Sequence, residues 1–340
     1  MNEPFPQIVF TAPGRAELAQ AAPSDLPPGA ALIETECSMV SPGTELACLA
    51  GSESWAPLPF RPGYGSVGRL VRAGNESGDL PVGARVFTYG LHARYSPVQT
   101  LCLPVPEGLD PAPAAFARIA AVSITALRVA DAALGDIVAV VGLGPVGNLA
   151  AQLFALAGCE VVGIDLSERR RVLALECGIP HAFAPGPDLG GKIAALTGGK
   201  RCRTVVEATG VPAVAEEAIA LAGKNGELVL LGSPRGSHPA DLSRFLNRIH
   251  LWGEGCVTVK GAHEWRFPVR EDEHGRHSME GNARVLLRLL AEGRLRVDPL
   301  LTHRAAPSSC QEIYDGLRRE KDRYLGVVFD WTRAAEKISG

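Results

Sequence analysis

Three glycines after an apolar run have the spacing of a phosphate-binding turn. Residues 137–142 are apolar, and the sequence G-L-G-P-V-G follows at residues 142–147. In such a turn Gly142 reverses the backbone, Gly144 lets a pyrophosphate approach, and Gly147 allows a helix to pack closely on the strand. The helix would begin near Pro145 and Val146, with its N-terminus toward the anion. The spacing therefore predicts a dinucleotide site.

An acidic residue ends the next apolar run. Asp165 lies 18 residues beyond Gly147, close to the spacing of about 20 residues typical of the acid that binds ribose hydroxyls. A carboxylate there accepts hydrogen bonds from a ribose diol and repels a 2′-phosphate, which favours NAD. Arg169 and Arg170 could pair with such a phosphate, so NADP stays open. We predict NAD as the cofactor.

The elements that position these residues fall into two patterns. Residues 8–103 contain short β-rich runs between Pro and Gly clusters, typical of a small barrel-like sheet. An Ala-rich helical segment follows at 114–134. From 137 to 257 apolar strands alternate with helical segments, which indicates a doubly wound parallel sheet. Residues 295–330 return to a strand, a helix and a strand that could rejoin the first lobe.

This change of pattern predicts an inserted domain. We expect a nucleotide-binding domain at residues 119–259, between the two parts of a catalytic domain at 1–118 and 260–340. An edge strand at 249–257 would pair across a subunit interface, so a homodimer or homotetramer is expected.

Composition excludes several functions. The 340 residues include 34 Lys and Arg and 37 Asp and Glu, with no basic stripe, which argues against a nucleic-acid partner. No basic N-terminal segment precedes a long apolar run, and no run is long enough to cross a bilayer, so we expect a cytoplasmic protein with no membrane partner. The eight cysteines form no CxxC pair, which argues against a disulfide framework and a zinc knuckle.

Several further motifs are shared with one known family. They are S-P-G-T-E-L at 41–46, R-P-G-Y-G-S-V-G at 61–68, P-V-G-A-R-V at 81–86, V-E-A-T-G at 206–210 and L-L-G-S at 230–233. With these motifs the chain resembles, over nearly its whole length, the medium-chain dehydrogenase/reductase superfamily. The resemblance implies an α/β fold, with a Rossmann doubly wound parallel sheet inserted in a β-rich GroES-like catalytic domain. It also places Thr209, Gly232 and Ser233 beside the cofactor, and Arg170 on its ribose.

The resemblance departs from the zinc-dependent members of the family. Where those members have Cys-Gly-Thr-Asp and Gly-His-Glu, this chain has P-G-T-E at 42–45 and G-Y-G at 63–65. Residues 120–123, near the third ligand, offer no Cys, His or Glu, and residues 88–105 hold Cys102 alone of the family's four cysteines. Because catalytic zinc needs about three protein ligands, we predict no metal. A weaker alternative is an ion at His274 and His277 with Glu273.

Without zinc, a protein group must take the hydroxyl proton. The resemblance implies that Thr44 hydrogen-bonds the substrate oxygen, that the adjoining Glu45 is the nearest base, and that Tyr64 donates to or accepts from that oxygen. The usual tyrosine pKa of about 10 would have to fall for the last role. Each also has a structural interpretation: a helix cap for Thr44, a first-turn acid for Glu45 and a packed aromatic for Tyr64. His92 could orient a polar substrate or serve a turn.

The expected function is oxidation of a secondary alcohol on a small polar molecule. The chain is similar to zinc-lacking dehydrogenases that act on sugars, aminocyclitols and aminoglycosides in antibiotic biosynthesis. Acidic residues at 261–281, with Glu45 and Glu53, could form a rim for a cationic, polyhydroxylated substrate. Two alternatives stay open: an NADPH-dependent enoyl or quinone reductase, and a non-catalytic NAD-binding protein.

Overall fold

The computed structural model describes residues 3–22, 26–98, 100–271 and 275–333. Its strands are β1 (Phe5–Ala12), β2 (Arg15–Ala21), β3 (Ala31–Met39), β4 (Ser66–Arg72), β5 (Arg85–Thr88), β6 (Tyr95–Val98), β7 (Cys102–Pro104), β8 (Ile137–Val141), β9 (Glu160–Ile164), β10 (His181–Phe183), β11 (Cys202–Glu207), β12 (Ala222–Leu230), β13 (Thr258–Gly261), β14 (Leu301–Ala305) and β15 (Gly326–Asp330). Its α-helices are α1 (Pro42–Leu49), α2 (Pro111–Ala115), α3 (Ala117–Val129), α4 (Pro145–Leu156), α5 (Glu168–Glu176), α6 (Leu189–Thr197), α7 (Pro212–Ala218), α8 (Leu242–His250), α9 (Met279–Ala291) and α10 (Cys310–Arg319).

The first lobe is built on a sheet with strand order β14-β15-β3-β4-β5-β7, and β6 also pairs with β3. Strand β15 runs antiparallel to β3 and parallel to β14, so the end of the chain completes the sheet begun near its start. The hairpin of β1 and β2 lies beside it. The β-rich first lobe and its returning C-terminal strands thus match the sequence pattern. The exact domain limits stay a prediction.

The second lobe is a six-stranded parallel sheet in the order β10-β9-β8-β11-β12-β13, the doubly wound order 3-2-1-4-5-6. Its strands are buried on both faces: Val138 and Val140 pack with Phe154 of α4, whereas Ala139 packs with Val162 on the opposite side. Burial on both faces explains why these strands read as continuous apolar runs. The expected α/β Rossmann fold is confirmed.

The predicted edge strand at residues 249–257 is wrong. Residues up to His250 belong to helix α8, and the strand at this edge of the second sheet is β13. The apolar residues Leu242, Phe245 and Ile249 recur at helical spacing, and Asp241 caps the helix by accepting a hydrogen bond from the Arg244 N–H at 3.1 Å. These local signals therefore favour a helix ending at His250 over a strand beginning at residue 249.

A continuous apolar core joins the two lobes. Helix α3 packs against α4 of the second lobe and against α9. One buried cluster contains Phe87 and Phe116 from the first lobe, Leu149 and Leu153 from α4, and Leu286 from α9. This shared core fixes the lobes on either side of the cleft. Among the described residues, no helix combines the length and apolar character that a membrane span requires.

Candidate active site and cofactor site

The glycine turn after β8 has the shape that a pyrophosphate needs. Gly142 has a φ of +94°, and its N–H donates to the Ile164 carbonyl at 2.8 Å. A Cβ on Gly147 would overlap the Gly142 carbonyl oxygen, so the helix can approach only at a glycine. Gly144 is the N-cap of α4, with no side-chain cap, and a Cβ there would meet no atom closer than an Arg170 nitrogen at 4.0 Å. Open space thus lies before unpaired helix N–H groups.

Asp165 lies beside this turn at the end of β9. Its carboxylate accepts hydrogen bonds from the Leu143 N–H at 2.7 Å and the Ser167 N–H at 2.8 Å. Lone pairs remain for a ribose diol, because a carboxylate has about four acceptor positions. Arg170 lies 3.8 Å from the carboxylate, and it also donates to the Lys321 carbonyl at 2.9 Å. The structure therefore brings both predicted ribose residues together.

Two more turns converge on the same edge of the sheet. A Cβ on Gly142 would lie 2.7 Å from the Thr209 methyl carbon, and a Cβ on Gly232 would overlap the Gly210 N–H. Thr209 and Ser233 are exposed there. The carboxyl edge of a parallel sheet at its change in strand order is where such folds bind ligands. The residues present therefore fit a nicotinamide dinucleotide.

The first turn of α1 faces this cofactor edge across the cleft. The Arg235 N–H donates to the Gly210 carbonyl at 3.2 Å, and the Arg235 side chain donates to Glu53 at 2.9 Å. Another Arg235 nitrogen lies 4.0 Å from where a Cβ on Gly43 would be. Arg235 thus bridges the turn after β12 and the start of α1.

Thr44 and Tyr64 meet at that start. Helix α1 begins at Pro42 with Ser41 as its N-cap, so the interpretation of Thr44 as the cap is wrong; Thr44 lies half-buried in the first turn. The Tyr64 hydroxyl donates a hydrogen bond to the Ser41 hydroxyl oxygen. The Tyr64 hydroxyl is thus held at the N-cap of α1, three residues before Thr44 in the sequence. The motif S-P-G-T-E contains Ser41 directly before a helix-starting proline, a signal that could have identified it.

Glu45 points away from the cleft into the core. Its side chain is buried, with the residue 1% exposed. One oxygen accepts from the Ser41 N–H at 2.8 Å, and the other accepts from the Tyr314 hydroxyl at 2.6 Å and lies 3.1 Å from Nε2 of His92. Burial and the Glu45 charge hold the pKa of Tyr314 well above its usual range. The arrangement gives Glu45 the geometry of an anchor instead of a base open to substrate.

His92 is part of the same buried network. Its Nδ1 lies 2.7 Å from the Ser38 hydroxyl, which also accepts a hydrogen bond from the Trp331 ring N–H at 2.8 Å. Both ring nitrogens of His92 thus have a hydrogen-bond partner, Nδ1 the Ser38 hydroxyl and Nε2 the Glu45 carboxylate. The structural interpretation of His92 fits this position, since it is 1% exposed.

A buried arginine beside Tyr64 was not identified from the sequence. Arg118 is 3% exposed, and its guanidinium carbon lies 4.2 Å from the Tyr64 ring centre and 4.4 Å from the Tyr89 ring centre. It donates to the Tyr64 carbonyl at 3.0 Å and pairs with Glu264 at 2.7 Å. Tyr89 donates to the same carboxylate at 2.5 Å. The charge of Arg118 within the apolar, Ala-rich segment was the signal in the sequence that could have identified it.

Three carboxylates of the expected acidic rim are paired with arginines. Glu53 pairs with Arg235 at 2.9 Å, Glu264 with Arg118, and Glu280 with Arg284 at 2.8 Å. Asp272 and Glu273 lie outside the described residues. The paired carboxylates cannot serve as a free anionic surface for a cationic substrate.

Known proteins resemble the chain in sequence and in fold. The family model described as zinc-binding dehydrogenase matches residues 145–267. An L-galactonate-5-dehydrogenase of Escherichia coli is 25% identical over 304 residues, covering 80% of this chain and 84% of that protein. A 2-desacetyl-2-hydroxyethyl bacteriochlorophyllide A dehydrogenase of Rhodobacter capsulatus is 26% identical over 346 residues, covering 96% and 98%. The structure of galactitol-1-phosphate dehydrogenase from Escherichia coli superposes with a TM-score of 0.81 at 19% identity, covering 96% of this chain and 99% of that one. These similarities support the expected resemblance to the medium-chain dehydrogenase/reductase superfamily.

The superfamily includes zinc enzymes, but the residues here do not fit zinc. The matching positions hold Pro42, which has no donor side chain, and Tyr64, whose hydroxyl is bonded to Ser41 and whose ring carries the Arg118 cation. Across residues 3–22, 26–98, 100–271 and 275–333, no three His, Cys, Asp or Glu side chains are grouped so as to hold a metal ion. The alternative ligands Glu273 and His274 lie outside the described residues. The family model matches residues beyond both positions.

The anchoring role of Glu45 can be separated from a catalytic role by measuring stability. Glu45→Ala leaves the Ser41 N–H, His92 and the Tyr314 hydroxyl without their acceptor, so we expect the free energy of unfolding in urea to fall by about 3 kcal/mol. Tyr314→Phe, the matched control, removes one of these hydrogen bonds and should cost about 1 kcal/mol. Unchanged stability with lost turnover in Glu45→Ala would instead identify Glu45 as the base.

Proposed function

We propose that the chain is an NAD-dependent oxidoreductase that oxidises a secondary alcohol of a sugar, aminocyclitol or aminoglycoside to a ketone by metal-free hydride transfer. The observation that carries the proposal is that Arg235 contacts both the Gly210 turn and the start of α1, where the Tyr64 and Ser41 hydroxyls are hydrogen-bonded. This arrangement supports placing a hydroxyl pair near the dinucleotide turn. The named relatives agree at the level of a dehydrogenase acting on CH–OH groups.

The residues of the chain divide the work of the reaction. Bound nicotinamide supplies the hydride acceptor for the carbinol carbon. Thr44 hydrogen-bonds the substrate hydroxyl from the first turn of α1. Tyr64, in its ionised form, takes the hydroxyl proton as the C=O bond forms, and Ser41 hydrogen-bonds the phenol oxygen. The helix N-terminus favours negative charge on the oxygen while the proton moves.

The substrate class is supported by what the relatives are named for. L-galactonate-5-dehydrogenase and D-guloside 3-dehydrogenase are named for hydroxyl positions that are secondary alcohols on sugar skeletons. A secondary alcohol on a sugar skeleton is the chemistry that both of these relatives are named for. In its narrowest form, the proposal is that the chain is the gentamicin-pathway dehydrogenase that its sequence resembles.

An edge of the second sheet supports a proposal about quaternary structure. Strand β13 is one of the two edge strands of that sheet, so its outer backbone groups can pair with a second copy. This supports a homodimer or homotetramer, and we propose a cytoplasmic location.

The choice between NAD and NADP depends on the charge at residue 165. Asp165→Asn keeps the acceptor oxygen for the Leu143 N–H and removes the negative charge, so we expect the NAD-to-NADP ratio of kcat/KM to fall about tenfold, a difference of about 1.4 kcal/mol. Arg170→Gln is the opposing control and should raise the ratio. A wild-type protein that strongly prefers NADPH would contradict the assignment and favour the enoyl or quinone reductase.

Zinc independence gives a direct chemical prediction. The side chains at positions 42 and 64 supply no zinc ligand set, so elemental analysis of the purified protein should find far less than one zinc per chain, and EDTA should leave turnover intact. Stoichiometric zinc, with loss of activity on its removal, would refute the metal-free reaction.

The proposed roles of Thr44 and Tyr64 can be tested with polyols, amino sugars and aminoglycosides in the presence of NAD, with NADH absorbance as the measurement. We expect Thr44→Ala and Tyr64→Phe each to lower kcat/KM about 100-fold without weakening NAD binding, the loss typical of a removed proton-transfer partner. Tyr95→Phe is the matched control, because Tyr95 hydrogen-bonds Glu34 elsewhere in the first lobe. Reduction of activated alkenes alone would favour the reductase alternative, and NAD binding without any turnover would favour the non-catalytic one.

A further inference from the structure

We propose that Arg118 is a positioning residue that holds Tyr64 at the proton-transfer position and favours its ionised form, with Glu264 setting the opposing charge. This inference rests on the proposed role of Tyr64. It assigns a function to a buried ion pair that hydride transfer alone does not explain.

Space for Arg118 depends on the residue that follows Tyr64. A Cβ on Gly65 would overlap the Cβ and Cγ of Arg118, so any other residue there would displace the arginine side chain. Position 65 is the one at which zinc members of the superfamily have Glu, and position 64 the one at which they have His. Tyr64 thus provides the ring against which the Arg118 cation stacks, and Gly65 leaves the space that the Arg118 side chain occupies.

Arg118 is fixed by contacts on every side. Its Nε donates to the Tyr64 carbonyl at 3.0 Å, and its Nη1 and Nη2 reach the two Glu264 oxygens at 3.0 and 2.7 Å. The rings of Tyr64 and Tyr89 cover its two faces. Burial alone would lower the pKa of Arg118, but the Glu264 charge and both tyrosines raise it above its ordinary value. The cation is therefore permanent and cannot move away from Tyr64.

A fixed cation on a phenol ring acts differently on the two protonation states. The ring of a phenolate carries more negative charge than that of a phenol, so the guanidinium stabilises the ionised form more. The Glu264 carboxylate acts in the opposite direction. The other titratable or charged groups around Tyr64 are Tyr89 beside Arg118, Glu45 and His92 behind Ser41 and Gly63, and the Arg235–Glu53 pair at the start of α1. Burial holds the pKa of Tyr89 far above its usual range, so it stays protonated.

Two substitutions should move the pH dependence in opposite directions. For the wild type, Arg118→Gln and Glu264→Gln, we would measure tyrosinate formation by ultraviolet absorbance as a function of pH, and subtract Tyr64→Phe titrated in the same way. The chain has five tyrosines, which keeps this difference readable. Arg118→Gln should raise the midpoint of the Tyr64 signal by about one pH unit, and Glu264→Gln should lower it by about as much. The rise of kcat/KM with pH should shift with each midpoint.

The matched control is Arg94→Gln. Arg94 also lies over a tyrosine ring, 5.5 Å from the Tyr95 centre, and pairs with Glu34 at 3.1 Å, but outside the cleft. It should leave the Tyr64 signal unchanged. Glu264→Gln is isosteric, and its amide oxygen can still accept from Tyr89 and from one Arg118 nitrogen, so it carries the test alone if Arg118→Gln does not fold.

The outcomes separate this inference from the proposed function. Equal losses of activity with no displacement of either midpoint would show that the ion pair is purely structural and overturn the inference. Because the titration needs no substrate, opposite displacements without alcohol turnover would support the role of Arg118 while refuting the proposed reaction. A displacement of the Tyr64 midpoint in the same direction for both substitutions would also overturn the inference about Arg118.

Discussion

A buried carboxylate needs hydrogen-bond donors in place of water, and the donors to Glu45 fix the position of the first turn of α1. Its partners come from the start of α1, from the loop that contains His92 and from α10. These segments are far apart in sequence, and each would leave a donor unpaired if it moved. The first turn of α1, which carries Ser41 and Thr44, is thereby held opposite the cofactor edge of the second sheet.

The second buried carboxylate meets the same requirement in another way. Glu264 is balanced by a full positive charge, since Arg118 contacts both of its oxygens. Such a pair often adds little stability, because desolvation of both groups offsets their attraction. In our proposal, the contribution of the pair beside Tyr64 is the electrostatic field that it imposes there. Glu45 therefore fixes the position of the α1 turn, whereas the proposed role of the Arg118–Glu264 pair is electrostatic.

Local patterns sufficed for the fold and for the cofactor side of the cleft. Gly142, Gly147 and Asp165 are constrained within a single strand, turn and helix, so their spacing alone predicted positions that the structure reproduces. The catalytic side was harder to predict. The orientation of Glu45 depends on Tyr314, 269 residues away, and Arg118 meets Glu264 across 146 residues. No local spacing encodes such contacts, which is why Glu45 was expected near the substrate and Arg118 was missed.

The two charge arrangements are linked through the core that joins the lobes. Arg118 extends from α3, which packs against α4 of the nucleotide-binding lobe, whereas Glu264 follows β13 at the opposite edge of that lobe's sheet. Phe116, two residues before Arg118, is buried in the shared cluster with Leu149 and Leu153. A close-packed interior transmits small displacements, because it has few voids to absorb them. The distance between the Arg118 cation and the Tyr64 ring is therefore set by the packing of one lobe on the other, so in the proposed reaction the same interface positions the cation and the cofactor edge.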